Sequence, residues 1–206
     1  TLVDRMRAFA GSEHTTPFVV MITAWSLLLS RYARTDDLVI AVPVDARTGP
    51  DMAQMTGMLV SLLPLRLSLS EDETIDAAIH RVHALHSEAL RHRSYGLGRL
   101  LADLGRPTTP DRATLAEVTF SYMNFAESGV SGVASSGFAP LSSNRREGKA
   151  DLGLYASDLP GGIDMAVEYY ADIFDNDRIE RMAGHFLTLL SALTEAPGDT
   201  AVSTLP

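Results

Sequence analysis

Gly57-Met58-Leu59-Val60-Ser61-Leu62-Leu63-Pro64-Leu65-Arg66-Leu67-Ser68-Leu69 is the stretch on which the fold turns. After the glycine the run is apolar with almost no alternation. That is the pattern of a strand covered on both faces rather than one with a wet face. Pro64 has no N–H, so the ladder must be interrupted, bulged or at a sheet edge there. Arg66 is a cation inside an apolar run. The expectation is a substantially buried guanidinium paired with a carboxylate or several carbonyls, a structural rather than chemical role.

Upstream of that run, Leu38-Val39-Ile40-Ala41-Val42-Pro43-Val44 reads as a second buried strand, set off by Asp36-Asp37. Asp45-Ala46-Arg47 stands at its carboxyl end, the side on which ligands collect in open α/β sheets. A plain strand-end turn is the other reading of these three residues. Further upstream, Thr15 or Thr16 can cap a helix with Pro17 at its first position. That helix, Phe18 to Ala33, is apolar nearly all round and therefore buried, with Trp25 as core. Residues 1–11 give a shorter amphipathic helix through Leu2, Met6 and Phe9.

Downstream, Glu71 to Arg93 reads as a helix capped by Asp72 or Thr74, with an apolar stripe from Ile75 to Leu90. Its His80, His83 and His86 recur every three residues and read as a solvated, mildly basic face rather than a metal site. Gly98 to Leu104 is a short helix, and Glu117 to Phe125 alternates as a strand. Residues 127–149 are rich in Gly and Ser, a long loop with a brief strand expected at 138–141 and a departure from the body of the fold. Asp151 to Ser157 and Ile163 to Tyr170 form a hairpin around Pro160-Gly161-Gly162. Asp175 to Thr194 is the last helix, ended by Pro197-Gly198. Helices and strands are interleaved, which predicts an α/β two-layer sandwich with a mixed β-sheet packed by helices.

The 206 residues are 46% hydrophobic and 21% charged, enough for a core and too apolar for disorder. A net charge of −9 argues against nucleic acid and anionic membranes as partners. With no cysteine there is no disulfide framework, thiolate metal site or cysteine nucleophile. No run reaches the roughly 18 apolar residues of a membrane span, and no signal peptide is visible, so a cytoplasmic protein is expected. No serine stands in a nucleophile-elbow pattern, and His14, His92 and His185 are isolated. The expected set of catalytic residues in this chain, and of metal ligands, is empty.

Several strings together resemble the condensation domains of nonribosomal peptide synthetases. Thr16-Pro17-Phe18 with Ala24-Trp25 and Ser30-Arg31-Tyr32 is similar to the helix that opens the second lobe of such domains. Asp36 to Arg47 resembles the following strand and its Pro-Val-x-x-Arg turn. Gly57 to Arg66 resembles the next motif, with Ser61 where an Asn is usual. His92-Arg93-Ser94-Tyr95 stands in place of a His-Gln-Asp string, and Gly96-Leu97-Gly98 in place of Pro-Phe-Glu. Val118 to Asn124 is similar to a Val-x-Phe-Asn strand, Asp151-Leu152 and Tyr169 to Asp175 to the closing strands, and Ile179 to Leu193 to the final helix.

The resemblance implies one chloramphenicol-acetyltransferase-like lobe: residues 1–198 as the C-terminal half of a condensation domain, and 199–206 as the start of a linker to an adenylation domain. The family's paired-histidine signature belongs to the other lobe, and no His-His pair occurs here. The whole domain would form an amide between a carrier-tethered acyl or aminoacyl donor and an amine acceptor. This lobe would supply tunnel wall and a crossing loop, with Asp45, Ala46, Ser61, Tyr122 and Asn124 as tunnel candidates and Arg47, Arg66 and Trp25 as structural residues. The implied partners are the N-terminal lobe, carrier proteins and an adenylation domain. No cofactor is bound directly; the phosphopantetheine arms come from the carriers. The same strings admit a related acyltransferase, an epimerisation domain (for which Phe120-Ser121-Tyr122-Met123 is the nearest string), or a non-catalytic condensation-like module that recruits a partner.

Overall fold

A computed structural model describes residues 1–206 apart from 48, 53, 71, 107–114, 116, 125–149 and 160. The loop expected at 127–149 and the strand expected within it lie outside the described residues. Among the described residues five α-helices and five strands run in the order α1 (Leu2–Ser12), α2 (Pro17–Ala33), β1 (Asp37–Asp45), β2 (Val60–Ser68), α3 (Ile75–Arg91), α4 (Leu97–Asp103), β3 (Val118–Asn124), β4 (Leu152–Leu159), β5 (Gly162–Tyr169) and α5 (Asn176–Glu195). The strands form one mixed sheet, ordered β2-β1-β3-β4-β5. β1, β3 and β4 are mutually parallel, and the two outer strands pair antiparallel to their neighbours.

Local chemistry accounts for the helix starts. Thr16 Oγ1 accepts from the Val19 N–H, and Pro17 occupies the first helical position of α2. Thr74 caps α3 in the same way through the Ala77 N–H. α2 is the axle of the core, with every residue from Val19 to Leu29 buried. Trp25 is fully buried and meets the Phe186 ring of α5 edge-on at 5.8 Å. The sheet contributes one apolar face to that core: Ile40 and Val42 of β1, Leu63, Leu65 and Leu67 of β2, Phe120 of β3, and Leu152, Leu154 and Ala156 of β4.

β2 corrects two expectations. It is an outer strand, and its burial alternates: Leu63, Leu65, Leu67 and the following Leu69 are buried, while Arg66 and Ser68 are exposed. Arg66 does find a carboxylate, donating from Nε and Nη2 to the two oxygens of Asp37 at 2.8 and 2.7 Å. The pair lies on the outside, however, with 75% of the Arg66 side chain exposed. The Leu65-Arg66-Leu67-Ser68-Leu69-Ser70 half of the run does alternate, and that half is the better guide to its environment.

Both prolines of the β1–β2 ribbon have readable consequences. The Leu69 N–H donates to Asp36 O, and the Ala46 N–H to Leu59 O. Counting along the ladder from either end makes Ala41–Pro64 and Pro43–Leu62 non-hydrogen-bonded pairs. The Pro64 nitrogen therefore points off the open edge of the sheet and removes nothing from the β1–β2 ladder. The Pro43 nitrogen points toward β3. The β1–β3 pairing is limited to Ala41 with Thr119, one pleat short of Pro43. A missing donor at Pro43 ends that ladder, and the two strands separate toward their carboxyl ends.

The last residues are docked rather than loose. Ile75 and Asp76 donate backbone N–H groups to Thr200 O and Gly198 O, Val202 donates to Glu73 O, and Arg31 reaches the carbonyls of Val202, Leu205 and Pro206. No helix among the described residues is long and apolar enough to cross a membrane.

Candidate functional site

The separation of β1 from β3 opens a cleft of about 510 Å³ at the carboxyl ends of the parallel strands. One wall is apolar: Pro17 and Phe18 at the start of α2, and Val42, Pro43 and Val44 at the end of β1. The polar lining comes from Tyr122 and Asn124 at the end of β3, Asp158 at the end of β4 and Arg7 from α1, with His86 of α3 packed beside Phe18.

Asp158 is the fixed point of the polar wall. It continues the inward row Leu152, Leu154, Ala156 of β4 and is only 8% exposed. Arg7 Nη2 donates to one of its oxygens at 2.5 Å, and the Tyr122 hydroxyl donates to the other at 2.6 Å. A buried carboxylate without such partners would be costly. Asn124 stands directly opposite Asp158 in the β3–β4 register.

Of the α3 histidines expected on a solvated face, His80 is exposed while His83 and His86 are half-buried. The three face, in turn, the end of α1, the connection after it and the start of α2. His80 Nε2 lies 3.6 Å from the Glu13 carboxylate, and His83 Nδ1 lies 2.7 Å from Thr15 Oγ1. The His86 ring packs on Phe18 with centroids 4.3 Å apart, and Phe18 leans in turn on Phe120 at 5.4 Å. Burial, with a smaller contribution from the neighbouring His83, holds the His86 imidazole below its ordinary titration range and so favours the neutral ring.

The tunnel candidates divide between the cleft and the turn beyond it. Tyr122 and Asn124 line the cleft. Ser61 is half-buried on β2, opposite Val44. Asp45, the last residue of β1, and Ala46 just beyond it begin a turn fastened from several sides. The Arg47 N–H donates to Asp45 Oδ1 at 2.9 Å, Arg47 Nη1 to the same oxygen at 3.1 Å, and Arg47 Nη2 to Met55 O at 2.9 Å. Arg93 Nη2 donates to Arg47 O at 3.3 Å. The Arg47 backbone N–H foremost, then its guanidinium and the charge of Arg93, hold the exposed Asp45 carboxyl below the usual range. Arg47 is thus the brace of this turn. Arg7, Phe18, His86 and Asp158 complete the cleft and were not among the candidates. Asp158 had a usable signal, since strand parity puts it on the inward side of β4. Arg7 had none, because its contact with Asp158 spans 151 residues.

A model of one protein family, described as Condensation domain, matches residues 1–205. The chain belongs to the condensation domain family. This condensation-family chain is 29% identical over 194 residues to surfactin synthase subunit 1 of Bacillus subtilis (strain 168), covering 94% of the chain and 5% of that protein. It is 30% identical over 196 residues to gramicidin S synthase 2 of Brevibacillus brevis, covering 95% and 4%. Among solved structures, the condensation domain from Monacolin K polyketide synthase MokA superposes with a TM-score of 0.82 at 22% identity, covering 96% of the chain and 45% of that one. The X-domain from teicoplanin biosynthesis superposes with a TM-score of 0.82 at 22% identity, covering 100% and 47%. At those identities the superpositions establish the shared fold: α/β, with a mixed five-stranded sheet. The chain spans about one-twentieth of these curated relatives and just under half of these two solved chains.

Proposed function

We propose that this chain is the C-terminal lobe, residues 1–198, of a condensation domain that forms an amide between a carrier-tethered acyl or aminoacyl donor and an amine acceptor. The observation that carries this reading is the family match over residues 1–205 in a chain that covers only 45% of a solved condensation domain. The reaction is assigned to the complete, two-lobed domain working in the cytoplasm between carrier proteins and an adjoining adenylation domain. Phosphopantetheine arms on the carriers bring both substrates, and residues 199–206 lead toward the adenylation domain.

On this reading the lobe positions rather than transforms. Aligning two tethered reactants is worth roughly 7–11 kcal/mol, and a positioned acid/base group contributes a further 10²–10⁴-fold. The chain has no paired-histidine string. Among its described residues the histidines of α3 are engaged with Glu13, Thr15 and Phe18. The braced Asp45–Ala46 turn and the cleft beside it are the surfaces assigned to the tunnel wall.

A product assay with loaded donor and acceptor carriers tests this, using the chain alone, a first lobe alone and the two mixed. Product from the mixture and from neither part is expected. Product from this chain alone, above uncatalysed aminolysis, refutes the division of labour. A mixture that binds carriers yet forms no product refutes the amide-forming assignment and favours the recruitment reading.

A further inference from the structure

The cleft combines features that restrict what fits it. Its charges cancel among the described residues, since Arg7 is paired to Asp158 and partial burial against Phe18 favours the neutral form of His86. A charged guest would bring an uncompensated charge into a site with an apolar wall of Pro17, Phe18, Val42, Pro43 and Val44. A purely aliphatic guest would leave the opposite wall dry. That wall is rich in acceptors: a carboxylate has about four acceptor sites, and Arg7 and Tyr122 take one on each oxygen of Asp158. Asn124 adds an amide beside it.

We infer that the cleft between Phe18, Val44, Tyr122, Asn124 and Asp158 is a recognition pocket for an uncharged acyl group carrying amide N–H donors on an apolar body, with Asp158 reading the N–H and Arg7 and Tyr122 holding it in place. Within the proposed function this pocket selects the acyl donor, and in that sense it rests on that reading. The fold supplies the reason for its location. Pro43 ends the β1–β3 ladder, so the opening lies between those strands. α1 and the histidine-fastened connection into α2 close it from the helical side.

The test is direct binding to this chain, with no turnover involved. N-acetyl-L-leucinamide is titrated against isotope-labelled chain, and N-acetyl-L-leucine, a carboxylate at neutral pH, serves as the charged comparison. Saturable shifts are expected at Phe18, Tyr122 and Asn124, with the acid bound about tenfold more weakly than the amide. Asp158→Asn, with its circular dichroism unchanged, is expected to weaken the amide by about tenfold, the scale of one lost bond to a charged acceptor. If that variant does not fold, Val44→Phe decides, because it narrows the cleft without touching the Arg7–Asp158 pair and should abolish the shifts. Equal affinity for acid and amide, an Asp158→Asn or Val44→Phe variant that binds like the parent, or shifts confined to other surfaces each overturn the assignment. Normal condensation in the two-lobe assay with no binding here defeats this inference alone; binding here with no condensation defeats the amide-forming reading alone.

Discussion

Phe18→Ala tests whether the column Phe120–Phe18–His86 is the internal prop of the cleft. Phe18 is half-buried. Fully burying a Phe removes about 150–250 Å² from water, so about 100 Å² is at stake here. At about 25 cal/mol per Å² that is about 2.5 kcal/mol. Two ring contacts, at 5.4 and 4.3 Å, add roughly 0.5–1.5 kcal/mol between them. The expected loss is therefore about 3–4 kcal/mol, or about 5–15 °C in Tm for a chain of this length. A second readout separates this prop from ordinary packing. His86 titrates low because it is buried, and Phe18 is part of its cover. In the parent the unfolded chain takes up this proton as pH falls through about 6.5, while the folded chain resists it. Stability should therefore fall on acidification below about pH 6.5, by at most about 1.4 kcal/mol per pH unit from this group. In Phe18→Ala the His86 midpoint, followed by NMR, should rise toward the ordinary value and that acid sensitivity should weaken; Phe18→Leu should lie between the two. A variant that loses less than about 1 kcal/mol and leaves the His86 midpoint unmoved would refute the argument.

Two further outcomes follow from the sheet. Arg66→Ala should unfold at nearly the same urea midpoint as the parent and lose only a salt-sensitive increment, because its partner Asp37 stays solvated when the guanidinium is removed; a large drop in midpoint would mean that the pair is buried after all. Gly153→Ala should destabilise by about 1–3 kcal/mol in a denaturant titration, since the added methyl carbon would stand 2.6 Å from Thr119 Oγ1 and 2.8 Å from the Tyr155 ring on a central strand; an unchanged midpoint would show that Tyr155 is free to swing aside.

The parts legible in the sequence are those set by local chemistry. Thr16-Pro17 and Thr74 start their helices where capping requires, the β4–β5 hairpin closes at the Leu159–Gly162 pair beside Gly161, and α2 is buried from Val19 to Leu29 as its composition demands. β2 was misread because an apolar run records the residues of a strand and not its place in the sheet. Leu62 and Pro64 are apolar yet lie on the less buried side of an outer strand. The histidine row was only partly legible for a related reason: His80 is exposed as expected, but the chain that covers His83 comes from 68 residues away at Thr15, and spacing along α3 carries no trace of it. Half of the cleft was visible, since Tyr122 and Asn124 lie on a recognisable strand. The other half depends on tertiary pairing of Arg7 and Asp158, for which no short-range pattern exists.

Pro64 bears on how the molecule behaves among copies of itself. Any sheet with a first and last strand presents two rows of backbone groups able to template another strand, and a long apolar run such as β2 is the dangerous kind. Here the outward-pointing nitrogens belong to the register positions shared with Pro64, so the row of donors is broken at its middle, and the charged side chain of Arg66 stands immediately beyond the gap. On β5, the outermost strand at the opposite side, Asp164 and Glu168 place two like charges along the strand that an incoming copy would have to match. The same residue that first marked this stretch as irregular thus interrupts the row of donors that a second copy of an apolar strand would need.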